Sequence, residues 1–428
     1  MINLINTRIE KLVFGGQGLA RINGRAAFIW NALPGETVAA AVSKSKPSYC
    51  EGTAVKIIKA APERIAPVDH HFLDCSPWQI MAPAAENYWK KEIAREVYRR
   101  IGGLTTPADL AIISATAHFY RYRHKMEFAL AGQRPGEIFL AHSQRQSHRA
   151  RPIPGCSLLA RPAQQTADQV LTWLNQEKIE PRLLKSLVVQ ATQAGQTSSA
   201  LYVKKRINPK HLPQLTEPWS GFYIGQSSPQ SPANTVSEKI KQVGSDYLEE
   251  KLGSKKFRYG RQCFFQINPP LFEQALNDMK LWIKNCGPLI DFYAGIGAIG
   301  LSLQQKGQAL TLIENLPEAT KYARQNIDLN HSENVQVING AAENARDYLT
   351  AGATAIFDPP RAGLHPELIK KIISARPAKI IYLSCNLATH ARDLKFLLSR
   401  YRLEFLRLYN FFPRTPHIES LAILSRTV

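Results

Sequence analysis

The sequence predicts an α/β protein whose last third is a doubly wound sheet of seven strands, preceded by a small β-barrel and a mixed α+β region. Three observations carry this expectation. From about residue 262, short apolar runs alternate with helical patterns, the arrangement of a sheet covered by helices on both faces. Residues 1–60 show closely spaced strand-like runs cut by glycine and proline, as small barrels do. At 428 residues, 44% of them apolar, the chain is long enough for two or three domains with sizeable cores.

Taken in order, Gly15, Gly16 and Gly18 open the barrel pattern, residues 25–30 and 37–42 continue it, and Pro34-Gly35 turns between them. Ala60-Ala61-Pro62 marks the exit. A helix is expected from about 84 to 101, with Trp89, Ile93 and Val97 at helical spacing and Gly102-Gly103 as its stop. Beyond it, strand-like runs mix with basic clusters at 121–125, 145–151, 204–206 and 255–258, which with Tyr120, Tyr122 and Tyr202 interleaved fit phosphate contacts plus base stacking, and residues 226–232 read as an exposed loop. The seven strands of the sheet fall at 288–291, 309–314, 335–338, 353–358, 379–383, 403–409 and 418–424. The domain boundaries this implies are 1–60, 61–260 and 261–428.

Fifty-four Lys and Arg against 34 Asp and Glu leave a net charge of +20, which points to a polyanionic partner, nucleic acid or an anionic membrane surface. Membrane binding is disfavoured, because no apolar run approaches the ~20 residues that span a bilayer. Residues 1–10 lack the basic, apolar and small-residue regions of a secretory signal. The six cysteines are scattered and form no disulfide framework. A cytoplasmic, nucleic-acid-facing protein is expected.

Chemistry gathers at the predicted strand ends. Gly295, Gly297 and Gly300 follow the first strand of the sheet and open a helix, and Glu314 ends the next strand. Taken alone, this loop fits a nicotinamide dinucleotide about as well as S-adenosylmethionine. Asp291 favours the second, because a carboxylate beside the loop repels a pyrophosphate, whereas an ammonium and a sulfonium suit an acidic crevice. Asp358-Pro359-Pro360-Arg361 ends the fourth strand, where two prolines withhold amide donors and turn the loop outward. Cys385, between Ser384 and Asn386, follows the fifth strand, at the carboxyl end where open sheets bind ligands. Most free cysteines are inert packing, but one delivered there can attack a substrate. His417 and Glu419 have period-two spacing that puts both on one face of a strand, and Gln266 and Asn268 place two amides in an apolar setting.

This set suits one reaction. Carbon 5 of uracil accepts a methyl group once a thiolate has added to carbon 6 and a carboxylate can remove the carbon 5 proton. Donors such as Gln266 or Asn386 would face the enolate oxygen. The target base must leave its stack to reach such a pocket. Two rivals use fewer of these residues. An NAD-dependent oxidoreductase explains the glycine loop but not Cys385, Glu419 or the charge. An RNA-binding protein with a decayed site leaves an intact Cys385, Asp358 and Glu419 unexplained.

These residues resemble the RNA (uracil-5-)methyltransferase family, most closely its bacterial 23S ribosomal-RNA branch. Gly16-Gln17-Gly18-Leu19-Ala20-Arg21 with Leu33-Pro34-Gly35-Glu36 is similar to that branch's N-terminal TRAM domain, an OB-like RNA-binding barrel. Residues 120–125 resemble its central basic motif, and the catalytic motifs follow in the family's order. The resemblance implies a Rossmann-like class I methyltransferase domain, with Cys385 as nucleophile and Glu419 as proton acceptor. Gln266, Tyr293, Glu314 and Asp358, with the loop glycines Gly295 and Gly297, would hold S-adenosyl-L-methionine. The partner implied is structured RNA, rRNA in preference to tRNA, with no membrane and no protein partner. Helix 84–101 is expected to pack on the catalytic domain. Relatives carry an iron–sulfur cluster on four cysteines, but here Cys75 and Cys156 match two positions while Asp69 and Trp78 fill the others. No cluster is therefore expected. Ala294 and Ala341 also depart from the family's pattern.

Overall fold

The computed structural model describes residues 4–427 except 116–118, 146, 148, 232–234 and 285. Gln146 and His148 of the 145–151 cluster, and Pro232 of the expected loop, lie outside the described residues. The chain forms two compact units: residues 1–119 with 385–395 and 407–420, and residues 120–384 with 396–406 and 421–428. Among the described residues no helix is long and apolar enough to cross a membrane.

The first unit begins with β1 (Leu4–Arg8), β2 (Lys11–Leu12), β3 (Gly18–Ile22), β4 (Arg25–Trp30), β5 (Thr37–Ser45) and β6 (Tyr49–Lys59), one sheet in the order β1-β5-β6-β4-β3-β2. Its core is built from small and β-branched side chains, Ala20, Ala27, Ile29, Val38, Ala40 and Ala54, which let the strands approach closely. Gly52 is obligatory there, because a Cβ would lie 2.6 Å from the Ala41 carbonyl oxygen. The Pro34-Gly35 turn is tied down by Glu36, a buried carboxylate that accepts from the Leu33 N–H at 2.8 Å and from Arg64 Nη2 at 2.7 Å.

Beyond the sheet lie α1 (Phe72–Cys75), a 3-10 turn at Pro77–Ile80, and α2 (Pro83–Val97), which continues into a π turn at Tyr98–Gly102. Pro83 opens α2, where its missing N–H costs nothing, and Gly103 ends the π turn with φ +62. The buried face of α2 includes Ile93 and Val97, as expected, but it is not purely apolar. It carries Glu86 and Lys90 along with Ile93, Ala94 and Val97, while Trp89 is only half-buried. Charged residues read as exposed unless they are paired, and here they are. Lys90 Nζ lies 3.1 Å from Glu86 and donates to Asn410 Oδ1 at 2.5 Å, and Asn410 Nδ2 donates back to Glu86 at 2.9 Å. The Arg414 backbone N–H also donates to Glu86, at 3.1 Å. Burial pulls the Lys90 pKa down against the attraction of Glu86. Lys90→Met removes one of two cations at the enclosed Glu86, leaving Arg414 Nη1 at 3.7 Å, and breaking up such a buried network costs roughly 3–5 kcal/mol. Chemical denaturation is expected to show that loss.

After β7 (Ile112–Ile113), the second unit opens with β8 (Lys125–Gly132), β9 (Ile138–Ser143) and β10 (Ala150–Pro152). The helix α3 (Arg161–Gln176) and strands β11 (Leu184–Ala191), β12 (Thr197–Val203), β13 (Trp219–Gln226) and β14 (Glu238–Gly244) complete a seven-stranded sheet ordered β10-β9-β8-β11-β12-β13-β14. A hairpin, β15 (Tyr247–Leu252) and β16 (Lys255–Gly260), leads to α4 (Pro269–Lys280). The strand–helix alternation follows: β17 (Leu289–Phe292), α5 (Ala298–Leu303), β18 (Leu310–Glu314), α6 (Pro317–Leu329), β19 (Val335–Asn339), β20 (Thr354–Phe357), α7 (Pro366–Ala375), β21 (Lys379–Ser384), α8 (Leu387–Leu397), β22 (Tyr401–Tyr409) and β23 (Glu419–Arg426). The sheet runs β19-β18-β17-β20-β21-β23-β22-β7, so an eighth strand joins the seven expected. That strand is the dipeptide Ile112–Ile113, paired to Leu408 and Tyr409, and two residues carry no readable periodicity.

Candidate active site

Parallel register sets the cofactor side of the site. Phe292, Ile313, Phe357 and Tyr382 stand in one row across the sheet, so Tyr293, Glu314 and Asp358 leave it together at the carboxyl ends. Tyr293 takes a left-handed conformation, φ +61, to turn the chain into the glycine loop. Glu314 is held from both sides, Oε2 accepting from the Gly295 N–H at 2.9 Å and Oε1 from the Leu316 N–H at 2.8 Å. Each carboxylate oxygen has a further lone pair, so an oriented Glu314 can still accept two hydroxyls of a ribose. Gln266 Nε2 reaches Asp358 Oδ2 at 3.4 Å, a long contact.

Asp291 does something other than the sequence suggested. It is 1% exposed, and its Oδ2 accepts from the Gly300 N–H at 2.8 Å, pinning the loop to the first turn of α5. Gly300 is what permits this, since a Cβ there would sit 2.9 Å from that oxygen. Burial, with Asp358 and Glu314 close by, pushes the Asp291 carboxyl up to about 8, so it is largely neutral at pH 7 and is no charge for a ligand to meet. Asp358 keeps some exposure, yet its surroundings push it up to about 7 against the pull of Gln266. Glu314 and Asp358, which both keep some exposure, favour a cation over a pyrophosphate. The residues therefore fit S-adenosylmethionine, and the acidic argument rests on these two rather than on Asp291.

The first unit holds the other two residues. Cys385, a partly exposed cysteine outside any disulfide, is the residue after β21. Asn386 caps the helix that follows, its Oδ1 accepting from the Ala388 N–H at 3.0 Å and its carbonyl from the His390 N–H at 3.0 Å. A helix N-terminus favours negative charge, which suits a thiol that must react as thiolate. Glu419 opens β23 and is 1% exposed. His417 falls before the strand, so period-two spacing does not describe its relation to Glu419. Its backbone N–H donates to Thr415 Oγ1 at 3.3 Å and its ring meets Phe412 edge-on. The expected site residues thus form two sets: Gln266, Tyr293, Gly295, Gly297, Glu314 and Asp358 in one unit, Cys385 and Glu419 in the other.

Two expectations change. The 121–125 cluster was expected to meet phosphates, but Arg121 donates to the Cys156 and Leu159 carbonyls at 3.3 and 3.2 Å. His124 Nδ1 lies 2.9 Å from the Tyr122 carbonyl, and burial lowers the Lys125 pKa. Tyr122 and Tyr202 are buried, so neither presents a face for base stacking. Lys204, Lys205 and Lys210 are exposed and remain fit for phosphate. At the positions where relatives bear cluster cysteines, Trp78 is buried and donates Nε1–H to the Gly16 carbonyl at 2.9 Å, while Asp69 accepts from Gln79 at 2.8 Å. Both side chains serve the fold, and the donor set does not fit a four-thiolate cluster.

A model of the tRNA (uracil-5-)-methyltransferase family matches residues 232–427, and a TRAM domain model matches residues 5–55. An RNA methyltransferase of Halalkalibacterium halodurans, itself uncharacterised, is 30% identical over 448 residues, covering 99% of this chain and 97% of the relative. Another from Fusobacterium nucleatum is 26% identical over 455 residues, covering 100% and 96%. Among solved structures, Pyrococcus abyssi tRNA (uracil-54, C5)-methyltransferase with S-adenosyl-L-homocysteine shares the fold, with a TM-score of 0.79 at 20% identity, covering 98% of this chain and all of that one.

Proposed function

Because the chain belongs to the RNA (uracil-5-)methyltransferase family and works with S-adenosylmethionine, we propose that it methylates carbon 5 of one uridine in structured RNA, 23S rRNA being the favoured substrate. What carries the reading is Cys385. It is a partly exposed thiol one residue past a strand in register with the one before Asp358, and it stands ahead of a capped helix.

In this reading Cys385 Sγ adds to carbon 6 of the flipped uracil, and carbon 5 becomes the nucleophile. The bound cofactor supplies an electrophilic methyl group on a sulfonium. Glu419 then takes the carbon 5 proton, and elimination returns the Cys385 thiolate. Glu314 binds the ribose hydroxyls, and Tyr293 with the Gly295 and Gly297 turn shapes the cofactor's bed. Gln266 and Asp358 meet its cationic end. Residues 1–60 serve as an RNA-binding barrel, 61–260 as a central RNA-binding region and 261–428 as the catalytic domain, in a protein working in the cytoplasm.

Methyl transfer from labelled S-adenosylmethionine to unmodified rRNA and tRNA, with nucleoside analysis, tests the proposal. Labelled 5-methyluridine in 23S rRNA is expected. The label in tRNA alone would move the substrate to tRNA, and a different methylated nucleoside would overturn the reaction.

Asp358 makes cofactor binding depend on pH. Its carboxyl, pushed up to about 7, gains a proton as pH falls through that value and loses its attraction for a cation. Calorimetric affinity for S-adenosylmethionine is expected to weaken several-fold between about pH 8 and about pH 6. In Asp358→Asn that slope should flatten. An unchanged slope in the variant would assign the effect elsewhere.

A further inference from the structure

One buried chain of polar groups in the first unit takes no part in the chemistry above. Tyr98, the first residue of the π turn after α2, is fully buried, and its Oη lies 2.8 Å from His390 Nδ1 and 2.6 Å from Ser420 Oγ. His390 sits in the first turn of α8, bonded through its N–H to the Asn386 carbonyl. Ser420 is the residue after Glu419 in β23. One phenol oxygen therefore joins the helix that starts beside Cys385 to the strand that starts with Glu419.

We propose that Tyr98 is a positioning residue, locking the nucleophile's helix and the proton acceptor's strand to a common point. The proposal rests on the roles given above to Cys385 and Glu419. Packing alone does not account for the hydroxyl, because phenylalanine fills nearly the same volume and a buried hydroxyl costs free energy unless bonded. Nor is the bonding local, since the partners lie 292 and 322 residues along the chain. Burial drives the His390 pKa down to about 3, so the ring is neutral, with one N–H and one lone pair. Burial raises the Tyr98 phenol, so it keeps its proton. The protons can then run from Ser420 through Tyr98 to His390 or the reverse, and either order fixes both partners through the same oxygen. The ring meets His390 edge-on at 5.9 Å, so it also limits how the imidazole can turn. The π turn is what places it there, and such turns recur at functional sites.

The test separates the two halves of the reaction. RNA carrying 5-fluorouridine lets Cys385 add and carbon 5 accept the methyl group, but leaves fluorine where the base needs a proton, so the adduct persists. The trapping rate then reports the nucleophile, and turnover on ordinary RNA reports both steps. Tyr98→Phe is expected to trap about tenfold more slowly and to lower kcat by about 10- to 100-fold, the scale of small misplacements. KM for RNA should be unchanged. Ser420→Ala, which frees only the strand, should trap at the wild-type rate while kcat falls, and it carries the test even if Tyr98→Phe folds poorly. Wild-type trapping and turnover in Tyr98→Phe, or a change confined to KM, would overturn the proposal. A wild-type enzyme that forms no adduct would instead overturn the assignment of Cys385 on which it rests.

Discussion

Cys385→Ala is expected to abolish methyl transfer while leaving the cofactor bound. Carbon 5 of uracil has little nucleophilic character until a thiolate saturates carbon 6, so methyl transfer stalls without the thiol. Loss of a covalent nucleophile costs on the order of 10⁴-fold or more, which puts residual turnover near the limit of a labelled-methyl assay. Affinity for S-adenosylhomocysteine should stay within about twofold, because the side chains assigned to the cofactor belong to the other unit. The partly exposed thiol lies outside the buried core, so melting should move little. A variant that still makes 5-methyluridine at a measurable fraction of the wild-type rate would exclude covalent addition through this residue.

Glu419→Gln should fail later and leave a visible product. Addition and methyl transfer do not need the carboxylate, so the RNA stays attached to Cys385 as a methylated adduct that retains its carbon 5 proton. General-base loss commonly costs about 10²- to 10⁴-fold. A protein–RNA band stable to denaturant, absent from Cys385→Ala/Glu419→Gln, is the expected signature. Glutamine keeps the size of a side chain that is 1% exposed at the head of β23, so the fold should tolerate it. Full turnover, or a slow variant with no adduct, would pass the proton to another group, of which His417 is the nearest along the chain.

The parts legible in the sequence were those with a strong local signature. Gly295, Gly297 and Gly300 announced a strand-to-helix turn, and the paired prolines after Asp358 announced the end of β20. The seven strands from β17 onward appeared as apolar runs of the right length. What stayed hidden depended on partners far away. Glu86 and Lys90 looked like solvent-facing charges, because nothing local reveals Asn410 or the Arg414 amide as their partners. Asp291 looked like a charge facing the ligand because it stands beside the glycine loop, and only the 2.8 Å bond to Gly300 shows it turned inward. The tyrosines among basic residues at 122 and 202 matched a nucleic-acid surface in composition, yet both side chains are buried. Tyr98 carried no signal at all, being one more aromatic near the end of a helix.

The ionic face of α2 also bears on the order in which the polypeptide is made. Asn410 comes 320 residues after Lys90, so a nascent chain must carry α2 without this partner until 320 further residues have been synthesised. An apolar stripe waiting that long would invite aggregation, as exposed hydrophobic surface does in partly folded chains. Glu86 and Lys90 remain hydrated in the meantime and withdraw from water only when residues 410–414 arrive. The same two charges shorten the apolar part of that face to Ile93, Ala94 and Val97.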